Sequence, residues 1–390
     1  MTKKNIRKLV LLILFILASI QIGFVGGTVS YALFFAILTI PLISLMYLAY
    51  VFYSFSIYQN LSSRNITVGE LVPYSFIIKN EGYTVFTAVN IKVFTDFSYV
   101  TDVPDDQLFR VFPGEKIKYD TSLICRYRGE YKVGVNRIIL TDFFGLFSFS
   151  YRMLSSFEVI VKPRIMNLEI HKDIPDLDVY IQSNMKSEIN EPDLIVRNYI
   201  NGDSLKKIHW KSTARTMELK VRNDIGILKE KVLLLADFER VSDNIHEFLP
   251  LENKILEQTI GLLYHFVLDK IPIEFVYGKD KMQSTLISDV SHFNYVYDEL
   301  SAINFYGLEA DVRNKQFVNL FEEVQHRGLI NDAKIVLMVI HYIDDELFAL
   351  LAKLSQTSKV TVAYIITEKD ISTYSRQNTD RFKIIKVGIE

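Results

Sequence analysis

From Leu9 to Ser63 the chain carries no Asp, Glu, Lys or Arg, a run that a soluble domain does not need. It divides at Gly26-Gly27-Thr28-Val29-Ser30, a short set of turn formers. The first half, about residues 9–26, is just long enough to cross a hydrocarbon core of about 30 Å. The second, about residues 31–57, is longer and is expected to tilt. Tyr47, Tyr50, Tyr53 and Tyr58 lie near its end, where aromatic rings favour the membrane interface. Lys3, Lys4, Arg7 and Lys8 stand ahead of the first run. A charged start also suits a cleaved signal peptide, but no Ala-x-Ala site follows and a second apolar run comes at once, which favours a hairpin of two spans. Basic residues before the first span predict a cytoplasmic N-terminus, and two spans return the chain to that side. The expected location is the cell membrane, with the bilayer as one partner and the residues after 58 cytoplasmic.

Past residue 60 the pattern shortens to a period of two. Val72, Tyr74, Phe76 and Ile78 alternate with other positions up to the turn signal Lys79-Asn80-Glu81-Gly82. Val89-Asn90-Ile91-Lys92-Val93 alternates again, and further strands are expected over 117–125, 131–140 and 157–162. Short strands at about ten-residue spacing predict an antiparallel β-sandwich over residues 60–165. Cys125 falls inside one of them, where a buried small hydrophobe is the expected role.

From 228 to 390 the apolar runs are continuous instead of alternating. Val232–Ala236, Ile273–Tyr277, Ile335–Ile340 and Val360–Ile366 read as strands buried on both faces. Helical spacing separates them, at Ile255 to Val267, Val290 to Ile303, Lys315 to Val324 and Phe348 to Leu354. This alternation predicts a doubly wound, mainly parallel α/β sheet. Ligands of such sheets gather at the carboxyl ends of strands, which singles out Asp237.

Composition narrows the classes. A net charge of −2 argues against a nucleic-acid partner. A single cysteine excludes an internal disulfide and a zinc site built on cysteine pairs. No Walker loop, dinucleotide fingerprint, Gly-x-Ser-x-Gly elbow or His-Glu-x-x-His occurs.

The connecting segment, residues 166–227, holds the most distinctive stretch: Arg197, Tyr199, Gly202, Asp203, Ile208, Trp210, Ala214, Arg215, Leu219 and Val221, all within 197–222. These positions match a signature that reads Arg-x-Tyr-x-x-Gly-Asp, then Ile-x-Trp, then Ala-Arg, then Leu-x-Val. Upstream stand Arg128-Gly129-x-Tyr131 and Asp142-x-Phe144-Gly145-Leu146-Phe147. On these motifs, and on its two N-terminal spans, the chain resembles the domain of unknown function 58 family over nearly its whole length. Read physically, Asn201-Gly202-Asp203 is a turn, and Asp203 or Ser204 would cap a helix beginning near Leu205. Trp210 is expected in a core and Ala214 in a close contact. Arg197, Asp203 and Arg215 suit a structural ion-pair network or, alternatively, a docking or active site. His209 lacks a nearby nucleophile with a supporting third residue, so a catalytic role is disfavoured.

The resemblance implies a C-terminal von Willebrand factor A-like domain. Such domains often bind Mg²⁺ through Asp-x-Ser-x-Ser after the first strand, whereas this chain reads Asp237-Phe238-Glu239-Arg240-Val241, with neither serine, and His341-Tyr342-Ile343-Asp344-Asp345 at the end of a later strand is not the expected arrangement either. Asp237 and Glu239 are therefore weak metal candidates, solvated acids at a strand end are the expected alternative, and no cofactor is expected. The resemblance further implies a membrane-anchored, non-enzymatic adaptor or scaffold. Its partners would be a MoxR-type AAA ATPase and other membrane or envelope proteins. The alternative is a membrane-bound hydrolase or metal-dependent binding protein that uses the 197–222 segment and Asp237.

Overall fold

The uncharged run folds as two helices, α1 (Lys3–Phe24) and α2 (Gly27–Ser54), both long and apolar enough to cross a membrane. The computed structural model describes residues 3–102, 107–170, 173–174, 177, 196–200, 208–222, 231–278, 282–306, 315–355 and 359–389. They fall into two units, Met1–Arg164 and Ile165–Glu390.

In the first unit α2 passes into a strand without a connecting loop: its C-cap, Phe55, already has extended geometry. The strands are β1 (Phe55–Leu61), β2 (Asn65–Thr67), β3 (Val72–Asn80), β4 (Phe86–Val93), β5 (Ser98–Val100) and β6 (Leu108–Val111), then β7 (Lys116–Cys125), β8 (Gly129–Val133), β9 (Val135–Thr141), β10 (Ser148–Arg152) and β11 (Phe157–Lys162). Two four-stranded sheets, β1-β3-β7-β5 and β10-β9-β4-β6, place Val72, Tyr74, Phe76, Ile78, Val89, Ile91, Ile138 and Leu140 in one shared core. The alternation read from the sequence is thus the inward face of each strand. A third sheet, β2-β11-β8, departs from a purely antiparallel sandwich, because β2 and β11 pair in parallel. The single strand expected over 131–140 is two strands, broken at Gly134, whose positive φ of 91° turns the chain. Cys125 is fully buried in β7, and burial pushes its thiol pKa up, so the neutral thiol is favoured.

The expected second span, 31–57, is corrected at its carboxyl end. Within α2, Ser30 is the only buried residue before Ser44; from there Ser44, Leu48 and Val51 form a buried stripe at helical spacing. Tyr47 donates its hydroxyl to the Val85 carbonyl at 2.7 Å, and Tyr50 accepts from the Tyr83 amide at 2.7 Å. Phe52 packs edge-on against Phe149 and Tyr151. The last three turns of α2 are therefore docked on the β-strands, and Tyr47 and Tyr50 bond to protein. Gly27–Ile43 remains free of that contact, about 25 Å of helix at 1.5 Å per residue.

The second unit contains β12 (Val196–Asn198), α3 (Trp210–Thr216) and β13 (Lys220–Arg222), followed by β14 (Lys231–Ala236), α4 (Ile245–Leu268), β15 (Ile273–Gly278), β16 (Met282–Ile287), α5 (Val290–Ser301) and α6 (Lys315–His326). It closes with α7 (Leu329–Asp332), β17 (Ala333–Ile340), α8 (Asp345–Ser355), β18 (Val360–Ile366), α9 (Ser372–Ser375) and β19 (Phe382–Val387). Strand order in the six-stranded sheet is β16-β15-β14-β17-β18-β19, parallel except for β16 at one edge. Alternate residues of β14 enter two different cores. Val232 and Leu234 pack with residues of α4 and α5, whereas Leu233 and Leu235 pack with residues of α6, α7 and α8. Helices on both faces explain the continuous apolar runs, since neither face of a central strand meets water. Ile170, Ile174 and Leu177, upstream of β12, join the α4 side of the core.

Candidate functional site

Two places in the second unit combine chemistry with position. The first is the carboxyl edge of the sheet. The chain runs from β14 outward to β15 and β16, then returns to lay β17 on the other side of β14. This reversal falls between β14 and β17, whose carboxyl ends are the usual ligand position in open α/β sheets. The residue after β14 is Asp237, and the residue after β17 is His341. His341 Nδ1 lies 2.8 Å from Asp237 Oδ2. Glu239 completes the group: one donor atom from each of the three lies within 4.8 Å of the others. Asp237 is 1% exposed and Glu239 4%, which rules out the expected solvated acids at a strand end.

Backbone contacts fix this geometry. The Asp237 amide donates to the Val339 carbonyl at 2.9 Å, and Asp237 Oδ1 accepts from the Glu239 amide at 3.1 Å. The Tyr306 amide donates to the Phe238 carbonyl and the Arg240 amide to that of Tyr306, which holds the segment after β14 in place. Burial alone would lower the His341 pKa, but the Asp237 and Glu239 carboxylates outweigh it, and the net shift is upward. The Tyr306 and Tyr342 phenols are pushed up, first by burial and then by the same two carboxylates.

The donor set does not fit Mg²⁺, which takes oxygen ligands and keeps several waters. Two carboxylates and an imidazole suit a borderline divalent ion such as Zn²⁺, which Asp237, Glu239 and His341 would hold. Sequence reasoning placed Asp237 and Glu239 here and met His341 at the end of a later strand, but set it aside because His341-Tyr342-Ile343-Asp344-Asp345 is not the expected metal arrangement.

The second place is the signature segment. Gly202 and Asp203, with the cap and helix start expected at Ser204 and Leu205, lie outside the described residues. The observed helix, α3, begins later, at Trp210, and its cap is His209, whose Nδ1 accepts from the Ser212 amide at 3.1 Å. An imidazole that accepts at Nδ1 carries its proton on Nε2, so His209 has a structural task. Ile208 is buried and bridges to Val221, which is 1% exposed. The Tyr199 amide donates to the Leu219 carbonyl at 2.8 Å, and Arg197 pairs with Val221 in the β12–β13 ladder.

The expected burial of Trp210 is corrected: it is 68% exposed. Ala214, expected in a close contact, is exposed as well. Arg215 is exposed and, among the described residues, forms no ion pair. Ile200, Met217 (90% exposed) and Leu219 are also open to solvent on this small unit. Among the described residues, the two three-residue strands and the seven-residue helix bury Ile208 and Val221 and no larger side chain.

No protein-family model matches the chain, and no curated protein matches its sequence. Among solved structures, the chain is similar to a CARDB domain from Pyrococcus furiosus in complex with di-metal ions, at 12% identity over 27% of this chain and 86% of that one, with a TM-score of 0.19. It is also similar to Spo0M, the sporulation control protein of Bacillus subtilis, at 14% identity over 37% of this chain and 58% of that one, with a TM-score of 0.19.

Proposed function

We propose that the chain is a membrane-anchored, non-enzymatic adaptor of the domain of unknown function 58 kind, with a von Willebrand factor A-like second unit. In this reading the two helices tether it, its remaining residues are cytoplasmic, and the 197–222 segment docks a MoxR-type AAA ATPase. One observation carries the docking role: Trp210, Met217, Leu219 and Ile200 are exposed on one small β–α unit. Large apolar side chains and Arg, exposed within one short stretch of chain, are the residue types of protein–protein anchor sites. Arg215, five residues after Trp210 in the same short helix and also exposed, supplies a cation on this unit. A photo-crosslinking residue at position 217, activated in native membranes, should capture an AAA ATPase identified by mass spectrometry. Capture of lipid or water products alone counts against the reading.

A second reading, a metal-dependent binding protein, is favoured by the Asp237–Glu239–His341 group. The expected result is that full-length protein in detergent micelles binds one Co²⁺ per chain with ligand-field absorption. Zn²⁺ should displace it, excess Mg²⁺ should leave it in place, and His341→Gln should lose it. No absorption beyond that of free Co²⁺ would leave Asp237–His341 as an internal ion pair only.

A further inference from the structure

The loop after β9 is clamped to both apolar helices. Asp142, 3% exposed, accepts from the Phe147 amide at 2.8 Å, from the Phe144 amide at 3.2 Å and from the Ser44 hydroxyl of α2. Arg7 of α1 donates to the Phe144 carbonyl at 3.2 Å, and the Lys8 ammonium lies 5.7 Å from the Phe147 ring centre. Gly145, at φ +66°, leaves the space that the Arg7 guanidinium enters. Phe143 sits 4.1 Å, centre to centre, from the Tyr47 ring of α2.

These contacts fix the level of the loop along the helices. It meets α1 where the last charged residues, Arg7 and Lys8, give way to uncharged sequence. It meets α2 at Ser44, where the free part of the helix gives way to the docked part. At that level Phe143 is 55% exposed and Phe144 50%. Two aromatic rings open to solvent beside two cations, where an uncharged helix pair begins, have the composition of a membrane interface.

We infer that the Phe143–Phe144 turn rests in the headgroup region of a phospholipid bilayer. Its rings enter the boundary between headgroups and acyl chains, and Arg7 and Lys8 face lipid phosphates. The bilayer then ends at Ser44, and the first unit stands on the membrane surface through this turn. The inference rests on the reading of α1 and α2 as spans.

The chain has one tryptophan, which allows a direct test. In a Trp210→Phe background used for spectroscopy alone, Phe144→Trp and, separately, Leu38→Trp are reconstituted as full chains in phosphatidylcholine–phosphatidylglycerol vesicles. The lipids carry bromine either near the headgroup end or near the terminal end of the acyl chains. Phe144→Trp should emit toward the blue and lose most of its emission to the shallow bromine, and less to the deep one; Leu38→Trp should respond more to the deep bromine. Unquenched Phe144→Trp beside a quenched Leu38→Trp overturns the inference and leaves the spans standing. If neither is quenched, the span reading fails and the inference with it.

Discussion

Replacing Asp237 with Ala should destabilise the sheet of the second unit by about 3–5 kcal/mol, the usual cost of removing one partner of a buried ion pair. The reason is geometric. His341 Nδ1 lies 2.8 Å from the Asp237 carboxylate, and its side chain is 9% exposed, so an imidazolium left behind keeps the Glu239 carboxylate nearby but has little water to replace its closest partner. The same substitution removes the acceptor for the Glu239 amide. Hydrogen exchange in β14 and β17, measured on the full chain in micelles with chelator present, reads the loss directly; unchanged protection there would show that the pair holds nothing. The pH dependence has a definite sign. Because the folded state raises the His341 pKa above its ordinary 6.5, the stability from its protonation is complete below about that pH. It is lost as pH rises through the raised value. In His341→Gln that decline with pH should disappear from the exchange profile.

The second large effect is expected at Asp142. Its carboxylate serves two backbone amides and the Ser44 hydroxyl from a buried position. Asp142→Ala leaves those donors without their acceptor, at a cost of about 1–3 kcal/mol for each one that stays buried. The expected result is faster hydrogen exchange in residues 142–147 and in the last three turns of α2, with Gly27–Ile43 unaffected. Faster exchange along all of α2, or none, would contradict the division of that helix at Ser44. Asp142→Asn should be milder, since its amide oxygen still accepts.

Much of the architecture is visible in the residues. Val232–Ala236 and Ile335–Ile340 stand out because strands covered on both faces cannot afford polar positions. Val72 to Ile78 stands out because one face of β3 is buried and the other is not. The edge strands β16 and β19 escaped notice for the converse reason. Met282-Gln-Ser-Thr-Leu-Ile287 lies at the rim of the sheet, where Gln283 and Ser284 meet solvent and the apolar signal fades. The docked end of α2 was hidden by uniformity: in a helix apolar on every side, the stripe Ser44, Leu48, Val51 carries no contrast. His341 and Trp210 failed differently. A strand-end rule finds His341 only once its neighbour in the sheet is known, and that pairing links residues about a hundred apart in sequence. Trp210 was assigned to a core on a helix expected to begin near Leu205, yet α3 begins at Trp210 itself and, among the described residues, buries no side chain of its own.

The central claim, that the exposed signature surface holds an AAA ATPase at the membrane, is tested most directly by recovery of that ATPase with the full chain from native membranes under conditions that trap ATP. The wild-type chain should retain a MoxR-type ATPase, and Trp210→Ala and Arg215→Ala should each lose most of it while keeping their level in the membrane. An ATPase absent from the wild-type sample, or retained equally by all three, would contradict the account.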